Sequence, residues 1–514
     1  MSISSSGGEI SSVITSVSAV SSSATISGGS IVQPLKPSEA KLDLRTRAFV
    51  SALGHVDTVI NAVPLWAARG LAETGGAFQR FEEHINRGVL RTSHNIKNVL
   101  SPRSTSSSSI STSSLRGAES VHLSVYARDE FCKSADGFNV KLRTYTPYSR
   151  SHNSSVETTT STESRPTASS SALPSLSGML KSAIVFGPPP PLQGVLEQPC
   201  ILYIHGGGFV LNSIETHDVL CRHLCRGTAL RVISVEYRQP PYNPITAAFQ
   251  DVLAAYRYCL PLCRNRVVVS GDSAGGHLAV SLSLQLLAAR DEVNGIPSTD
   301  DATASIQNTS SEGNNMSSIP QKKVFDRPIP ASVTESVHQS AKRNGVSIVL
   351  PHENIHELAT LPLPSLVLPL YPALDLERGI KGPTASRERY QEGWILSLKM
   401  IDGFADTILC GIPEESETCL RLKRVPFFSP LRANKSLLSK FPPILLVPAE
   451  HDLLSDHSIL FLNALQESGG INHTELVMAT GQVHGFAQFP QLRVGQEIMA
   501  TVYEKARQIL GLTD

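Results

Sequence analysis

RVVVSGDSAGGHLAVSLSLQLLAAR, residues 266–290, is the stretch whose reading decides the fold. Its opening, RVVVSG, is a β-branched apolar run of the kind that forms a buried strand. GHLAVSLSLQLLAAR (276–290) is helix-compatible, and Gly271-Asp272-Ser273-Ala274-Gly275 turns between the two. A turn this tight forces its central residue into strained backbone angles, and small neighbours let the chain pass without clash. The serine oxygen is thereby lifted above the sheet, at the positive end of a helix that stabilises developing negative charge. The bare G-x-S-x-G pattern also occurs as a glycine-rich turn with an incidental serine. The strand before it and the helix after it favour a nucleophile, Ser273.

The neighbouring segments repeat the same alternation. CILYIHGGGFV (200–210), RVISVEY (231–237), LPSLVLPLYP (363–372), PPILLVPAE (442–450) and TELVMAT (474–480) read as strands, as does DGFNVKLRTYTP (136–147) after an Asp-Gly turn. Residues 215–227 and TAAFQDVLAAYRYCL (246–260) carry helical spacing. Strands alternating with helices of this length indicate an α/β fold: a mostly parallel central sheet with helices on both faces. In such sheets ligands sit at the C-terminal strand ends, where the remaining motifs fall.

His205-Gly206-Gly207-Gly208 closes one of those strands, 68 residues before Ser273. Consecutive glycines leave backbone N–H groups uncovered, so the N–H groups of Gly206 and Gly207, with that of Ala274, are the expected oxyanion hole. One such donor is worth roughly 3 kcal/mol in the transition state. A phosphate-binding loop would want a following Lys-Ser/Thr or a GxGxxG spacing, and neither is present. His205 is expected to prop the loop rather than transfer protons. Gly208, Gly271, Asp272, Gly275 and Gly276 complete the two motifs as supporting residues.

A serine nucleophile on such a sheet needs an acid and then a histidine downstream. Asp452 follows the strand PPILLVPAE, and His484 follows TELVMAT. His484 would accept the proton of Ser273, with Asp452 fixing the imidazole tautomer and stabilising its charged form. Glu450 and Asp456 compete for the acid role, and His451 for the base.

Composition narrows the field further. Formal net charge is zero across 514 residues, which points to neither nucleic acid nor an anionic membrane surface as partner. The eight cysteines have no zinc-site spacing. Cys221/Cys225 and Cys259/Cys263 read as buried free thiols, which fits a reducing, cytoplasmic compartment. The first basic residue is Lys36, unlike a secretory signal or transit peptide. Four regions follow from composition: a Ser-rich tail at 1–38, a helical N-terminal or cap segment at 39–103, a Ser-rich linker at 104–118, and a catalytic domain at 119–514. That domain carries polar insertions at about 149–195 and 291–360 and cap helices at about 378–425, where SLKMIDGFADTIL (397–409) reads as an amphipathic helix. The insertion at 291–360 is either a tolerated surface loop or a regulatory one, with Lys342-Arg343 upstream of Ser347. The apolar 49–71 stretch is interrupted by His55, Asp57 and Arg69, too short a run to span a membrane. It is a candidate for peripheral contact with a membrane or lipid droplet.

HGGGF, GDSAGG, PAEHDLLSD and VHGF, in this order and spacing, resemble the hormone-sensitive-lipase-like (GDxG) family of α/β-hydrolases. FFSPLRANKSLLSKFPPILLVPAEHDLLSD (427–456) looks particularly like hormone-sensitive lipase, rather than the small bacterial esterases, and the resemblance covers about 136–147, 196–290 and 362–510. The family's usual acidic–His pair is replaced here by Tyr242-Asn243. The resemblance implies an α/β-hydrolase fold with a helical cap, and hydrolysis of carboxylic esters, from short acyl esters to acylglycerols and sterol esters, without metal or cofactor. It assigns Ser273, Asp452 and His484 to the triad, and Gly206, Gly207 and Ala274 to the oxyanion hole. Amidases, deacetylases and acyltransferases use the same triad. Plant hormone receptors on this fold bind without catalysis, but they lack the histidine that stands here at 484.

Overall fold

The computed structural model describes residues 24–27, 123–149, 191, 194–295, 352–375, 384–408, 425–470 and 472–512. The expected cap segment at 39–103, the linker at 104–118 and most of both insertions lie outside them.

Among the described residues, ten strands form one sheet. In chain order they are β1 (Ala24–Ser27), β2 (Leu123–Lys133), β3 (Asn139–Ser149), β4 (Cys200–Ile204), β5 (Arg231–Glu236), β6 (Val267–Asp272), β7 (Leu366–Leu370), β8 (Ile444–Leu446), β9 (Ala449–His451) and β10 (Thr474–Val483). Across the sheet they run β1-β10-β8-β7-β6-β4-β5-β3-β2, with β9 beside β10. β4 to β10 pair in parallel, and β2, β3 and β1 add antiparallel edges.

The central strands β4, β6, β7 and β8 are buried along their whole length, because helices cover both faces. The helices are α1 (Asp218–Thr228), α2 (Ile245–Cys259), α3 (Ala274–Val293), α4 (Ile355–Thr360), α5 (Ala385–Arg389), α6 (Leu398–Ile408), α7 (Lys435–Leu438), α8 (Ser455–Glu467) and α9 (Arg493–Ile509). α1 and α9 close one face, meeting where the Tyr503 ring fills the space that a Cβ on Gly227 would need. α2, α3 and α8 close the other. α3 is apolar on most of its circumference because it is enclosed by the sheet on one side and by α2 and α4 on others.

Three differences from the sequence reading have simple causes. β2 gives no clean alternation, because as an edge strand its residues are mostly half-buried or exposed. PPILLVPAE divides into β8 and β9 at Val447-Pro448, since proline has no N–H to continue a ladder. Within the stretch read as an unstructured tail, Ala24–Ser27 pairs antiparallel with β10. Its Thr25-Ile26 centre suits a strand, and the β10 edge offered it unpaired backbone groups.

The strand order places the functional loops. β4 leads through α1 to β5 on one side, and β5 leads back through α2 to β6 on the other. Connections therefore diverge between β4 and β6 and leave a crevice above their C-terminal ends. Ile204, the last residue of β4, pairs with Gly271 near the end of β6, so HGGG and GDSAG emerge side by side.

Candidate active site

Ser273 sits between β6 and α3 with φ 53° and ψ −116°, a strained conformation for a residue with a side chain. Such strain costs on the order of 1–3 kcal/mol and persists only where the surroundings impose it. They do so here through glycine. A Cβ on Gly275 would run into the Ile204 carbonyl, and one on Gly271 would strike the backbone of Gly275. β4, β6 and α3 can approach this closely only with bare Cα atoms at those two points.

The three residues expected from chain order come together. His484 Nε2 lies 3.0 Å from Ser273 Oγ, and His484 Nδ1 lies 2.7 Å from Asp452 Oδ2. The other Asp452 oxygen, Oδ1, accepts the Leu454 N–H at 3.0 Å, which fixes the carboxylate plane. Asp452 is 2% exposed, while Ser273 and His484 are each 9% exposed, so the relay opens narrowly at its serine and histidine and is sealed at its aspartate. The rival residues are occupied elsewhere. Glu450 accepts the Gly481 N–H at 2.8 Å, Asp456 accepts the Ser386 N–H at 2.8 Å, and His451 Nδ1 faces the Tyr390 hydroxyl at 3.1 Å.

The glycine loop requires one correction. The Gly206 N–H donates to Asp272 Oδ1 at 2.9 Å, inside the protein, and is not available to a substrate oxygen. The next two glycines turn the chain over the crevice with φ 114° at Gly207 and 60° at Gly208. Val210 and Leu211 donate back to the Gly207 carbonyl at 3.1 and 2.8 Å, so the trans peptide turns the Gly208 N–H to the opposite side. Ala274 is the first residue of α3, where N–H groups have no intrahelical acceptor. His205 is fully buried, stacked on Tyr237 at 4.3 Å, and its carbonyl accepts the Tyr237 hydroxyl at 2.9 Å. It holds the loop.

Asp272, noted from sequence only as part of a motif, is a hub. Its carboxylate accepts the Tyr203 hydroxyl at 2.7 Å, the Gly206 N–H at 2.9 Å and the Gln488 side-chain amide at 2.7 Å, and meets His217 Nε2 at 3.3 Å. Burial alone would raise its pKa. The adjacent His217 charge and these hydrogen bonds outweigh that and hold the group down at about 2. One side chain thus joins the glycine loop, the start of α1 and the loop after β10. Nothing in the periodicity of the chain marked Tyr203, His217 or Gln488 for this task, because they meet only across the sheet. His277, just past the motif, is buried with Nδ1 2.6 Å from the Ala373 carbonyl and Nε2 2.8 Å from that of Phe427; burial lowers its pKa to about 4.

The cap reaches the same place. The Phe404 ring on α6 occupies the position into which a Cβ of Gly208 would project, so the cap helix rests on the glycine loop. Leu396, Phe404 and Ile408 are buried there with Phe209 and Phe428 in one apolar cluster.

Fold, strand-end motifs and relay together define an α/β-hydrolase. The chain matches the family described as alpha/beta hydrolase fold over residues 201–343 and 336–488, and it belongs to that family, in its hormone-sensitive-lipase-like GDxG branch. It is 29% identical over 307 residues to Lipase 2 of Moraxella sp. (strain TA144), covering 58% of this chain and 57% of that protein. It is 41% identical over 101 residues to esterase LipI of Mycobacterium tuberculosis (strain ATCC 25618 / H37Rv), covering 18% and 32% respectively. The chain therefore spans about half or less of the length of these relatives. A solved esterase structure from Pyrobaculum calidifontis aligns with a TM-score of 0.45 at 22% identity, over 76% of this chain and 87% of that one.

Proposed function

We propose that the protein is a carboxylic-ester hydrolase acting through an acyl-enzyme on Ser273. The observation that carries this reading is the unbroken relay from Asp452 through His484 to a serine held on a strained turn at a helix N-terminus. Ser273 Oγ attacks the ester carbonyl carbon as its proton passes to His484 Nε2, and the carbonyl π electrons move onto oxygen. The N–H groups of Gly207, Gly208 and Ala274 receive that oxyanion; Gly206, engaged by Asp272, does not. Collapse expels the alcohol oxygen, which takes the proton from His484. Water then repeats the sequence on the acyl-enzyme, giving a carboxylic acid and free Ser273. Asp452 keeps its hydrogen bond to Nδ1 throughout and offsets the imidazolium charge.

Apolar side chains at the cap, Phe404 foremost, suit the acyl chains of short esters, acylglycerols or sterol esters. The 49–71 stretch, outside the described residues, is the segment for contact with a membrane or lipid droplet; no helix among the described residues is long and apolar enough to cross a membrane. The test is hydrolysis of p-nitrophenyl esters of increasing acyl length, with Ser273→Ala as the blank, beside labelling by a fluorophosphonate. Turnover and single-site labelling that both vanish in Ser273→Ala support the reading. Turnover that survives the substitution overturns it.

A further inference from the structure

Two residues with side chains depart from ordinary backbone angles at the ends of neighbouring parallel strands: Ser273 after β6, with φ 53°, and Tyr371 after β7, with φ 35°. The two turns are bonded to one another. The Ser273 N–H donates to the Leu370 carbonyl at 2.9 Å, and the Ala373 N–H donates to the Ser273 carbonyl at 3.3 Å. The turn 370–373 therefore grips the nucleophile's backbone on both sides, with Tyr371 between the two grips. Its other contacts run to the remaining triad members. The Tyr371 N–H donates to the Val447 carbonyl at 2.8 Å, on the segment that continues through β9 to Asp452. Its ring lies edge-on to the His484 imidazole, centroids 5.0 Å apart at 62°, and is backed by Phe486 at 5.4 Å and 63°.

We propose that Tyr371 is a positioning residue for this active site, setting the angle of the His484 ring against a nucleophile that its own turn holds in place. The inference rests on the ester-hydrolase reading above. A backbone forced to positive φ is tolerated because it aims the ring: from an ordinary extended turn the side chain would leave the strand end in another direction. The ring is fully buried, so the imidazole has one wall that neither moves nor hydrates. Burial and the nearby Asp272 charge raise the hydroxyl pKa far above its usual range, so Tyr371 stays protonated and is no rival base. Edge-to-face contacts of this kind favour one ring orientation over its neighbours.

The experiment measures kcat and KM for a short-chain p-nitrophenyl ester with wild type, Tyr371→Leu and Tyr371→Phe, each normalised to serine titratable by a fluorophosphonate. Removing the ring lets the imidazole tilt, so Tyr371→Leu should lower kcat by about tenfold to a hundredfold with KM within about twofold. Tyr371→Phe, which keeps the ring, should restore most of that loss. Wild-type kcat in Tyr371→Leu, or a loss in Tyr371→Phe as large as in Tyr371→Leu, overturns the proposal. Should Tyr371→Leu not fold, Phe486→Leu carries the test by freeing the ring from its other side. A several-fold lower kcat at unchanged KM supports the proposal, and an unchanged kcat overturns it. Turnover surviving Ser273→Ala would instead defeat the hydrolase reading itself, so the two failures are distinguishable.

Discussion

Among the described residues, an aspartate, a histidine and a hydroxyl are lined up as Asp452–His484–Ser273 and again as Asp272–His217–Thr216. In the second set His217 Nε2 meets Asp272 at 3.3 Å, against 2.7 Å for the Asp452–His484 pair, and Nδ1 lies 2.9 Å from Thr216 Oγ1, against 3.0 Å from His484 to Ser273. Three physical differences separate them. Thr216 donates its hydroxyl proton to the Ser213 carbonyl at 2.8 Å, whereas Ser273 Oγ has its histidine beside it at the mouth of the crevice. His217 and Asp272 are sealed from solvent, while His484 and Ser273 keep a narrow opening. Asp272 serves four partners at once, and Asp452 is engaged by the imidazole and one backbone amide. The same groups are placed for proton transfer where one hydroxyl is held up at a strained turn, and tie loops together where the hydroxyl and carboxylate are occupied.

This comparison breaks most sharply at Ser273. Ser273→Ala should lower kcat by on the order of 10⁶ with stability changed by no more than about 1 kcal/mol, since alanine keeps the Cβ that strains the turn and loses only the hydroxyl contact to His484, read by ester turnover and thermal melting. Asp452→Asn should lower kcat by about 10⁴ by presenting the wrong imidazole tautomer, in an enzyme that still folds and binds ester. Asp272→Asn should do the reverse. It sets an amide among four donors and should cost about 3–5 kcal/mol in urea unfolding, while kcat per folded molecule falls by about tenfold or less. Thr216→Val should be the mildest, near ~1 kcal/mol in stability with kcat within about twofold. A loss of kcat in Thr216→Val as large as that in Asp452→Asn would mean that the two sets had been assigned the wrong way round.

Acidification sharpens the same contrast. The Asp272 pKa lies at about 2, below its ordinary value, so the folded state gains about 2 kcal/mol from this carboxylate above about pH 4. That gain is lost as pH falls from about 4 through 2, and Asp272→Asn should lose the dependence in that window. His457 is held neutral by burial, its Nδ1 accepting the Leu374 N–H at 3.1 Å, with a pKa of about 4 against an unfolded value of 6.5. The unfolded chain binds this proton first, so stability should already decline as pH drops from about 6.5 to 4. Urea midpoints measured from about pH 7 down to about pH 2 check both windows.

How much of this was legible in sequence differs residue by residue. Ser273, Asp452 and His484 could be named because each follows a strand, and a parallel sheet presents such positions at one edge. Spacing alone could not separate Asp452 from Glu450 and Asp456, which lie within a few residues of it. Packing separates them: Asp452 is set beside the imidazole, while the backbone N–H groups of Gly481 and Ser386 take the other two carboxylates. The Gly206 assignment failed for a related reason. A run of glycines says that N–H groups are uncovered, but not which of them a buried carboxylate from the next strand will take.

What the sequence by itself determined was the alternation of strand and helix, the order of serine, aspartate and histidine after successive strands, and the glycines without which β4, β6 and α3 could not pack so closely. These are local properties: periodicity, turn chemistry and side-chain volume act within a few residues of where they are written. Only the tertiary structure decided the Asp272 hub, the contact of Phe404 with Gly208 and the seat of the Tyr371 ring against His484. Each joins residues from different strands or helices, and whether a hydrogen bond or ring contact forms depends on ångström distances set by the packing of the whole sheet.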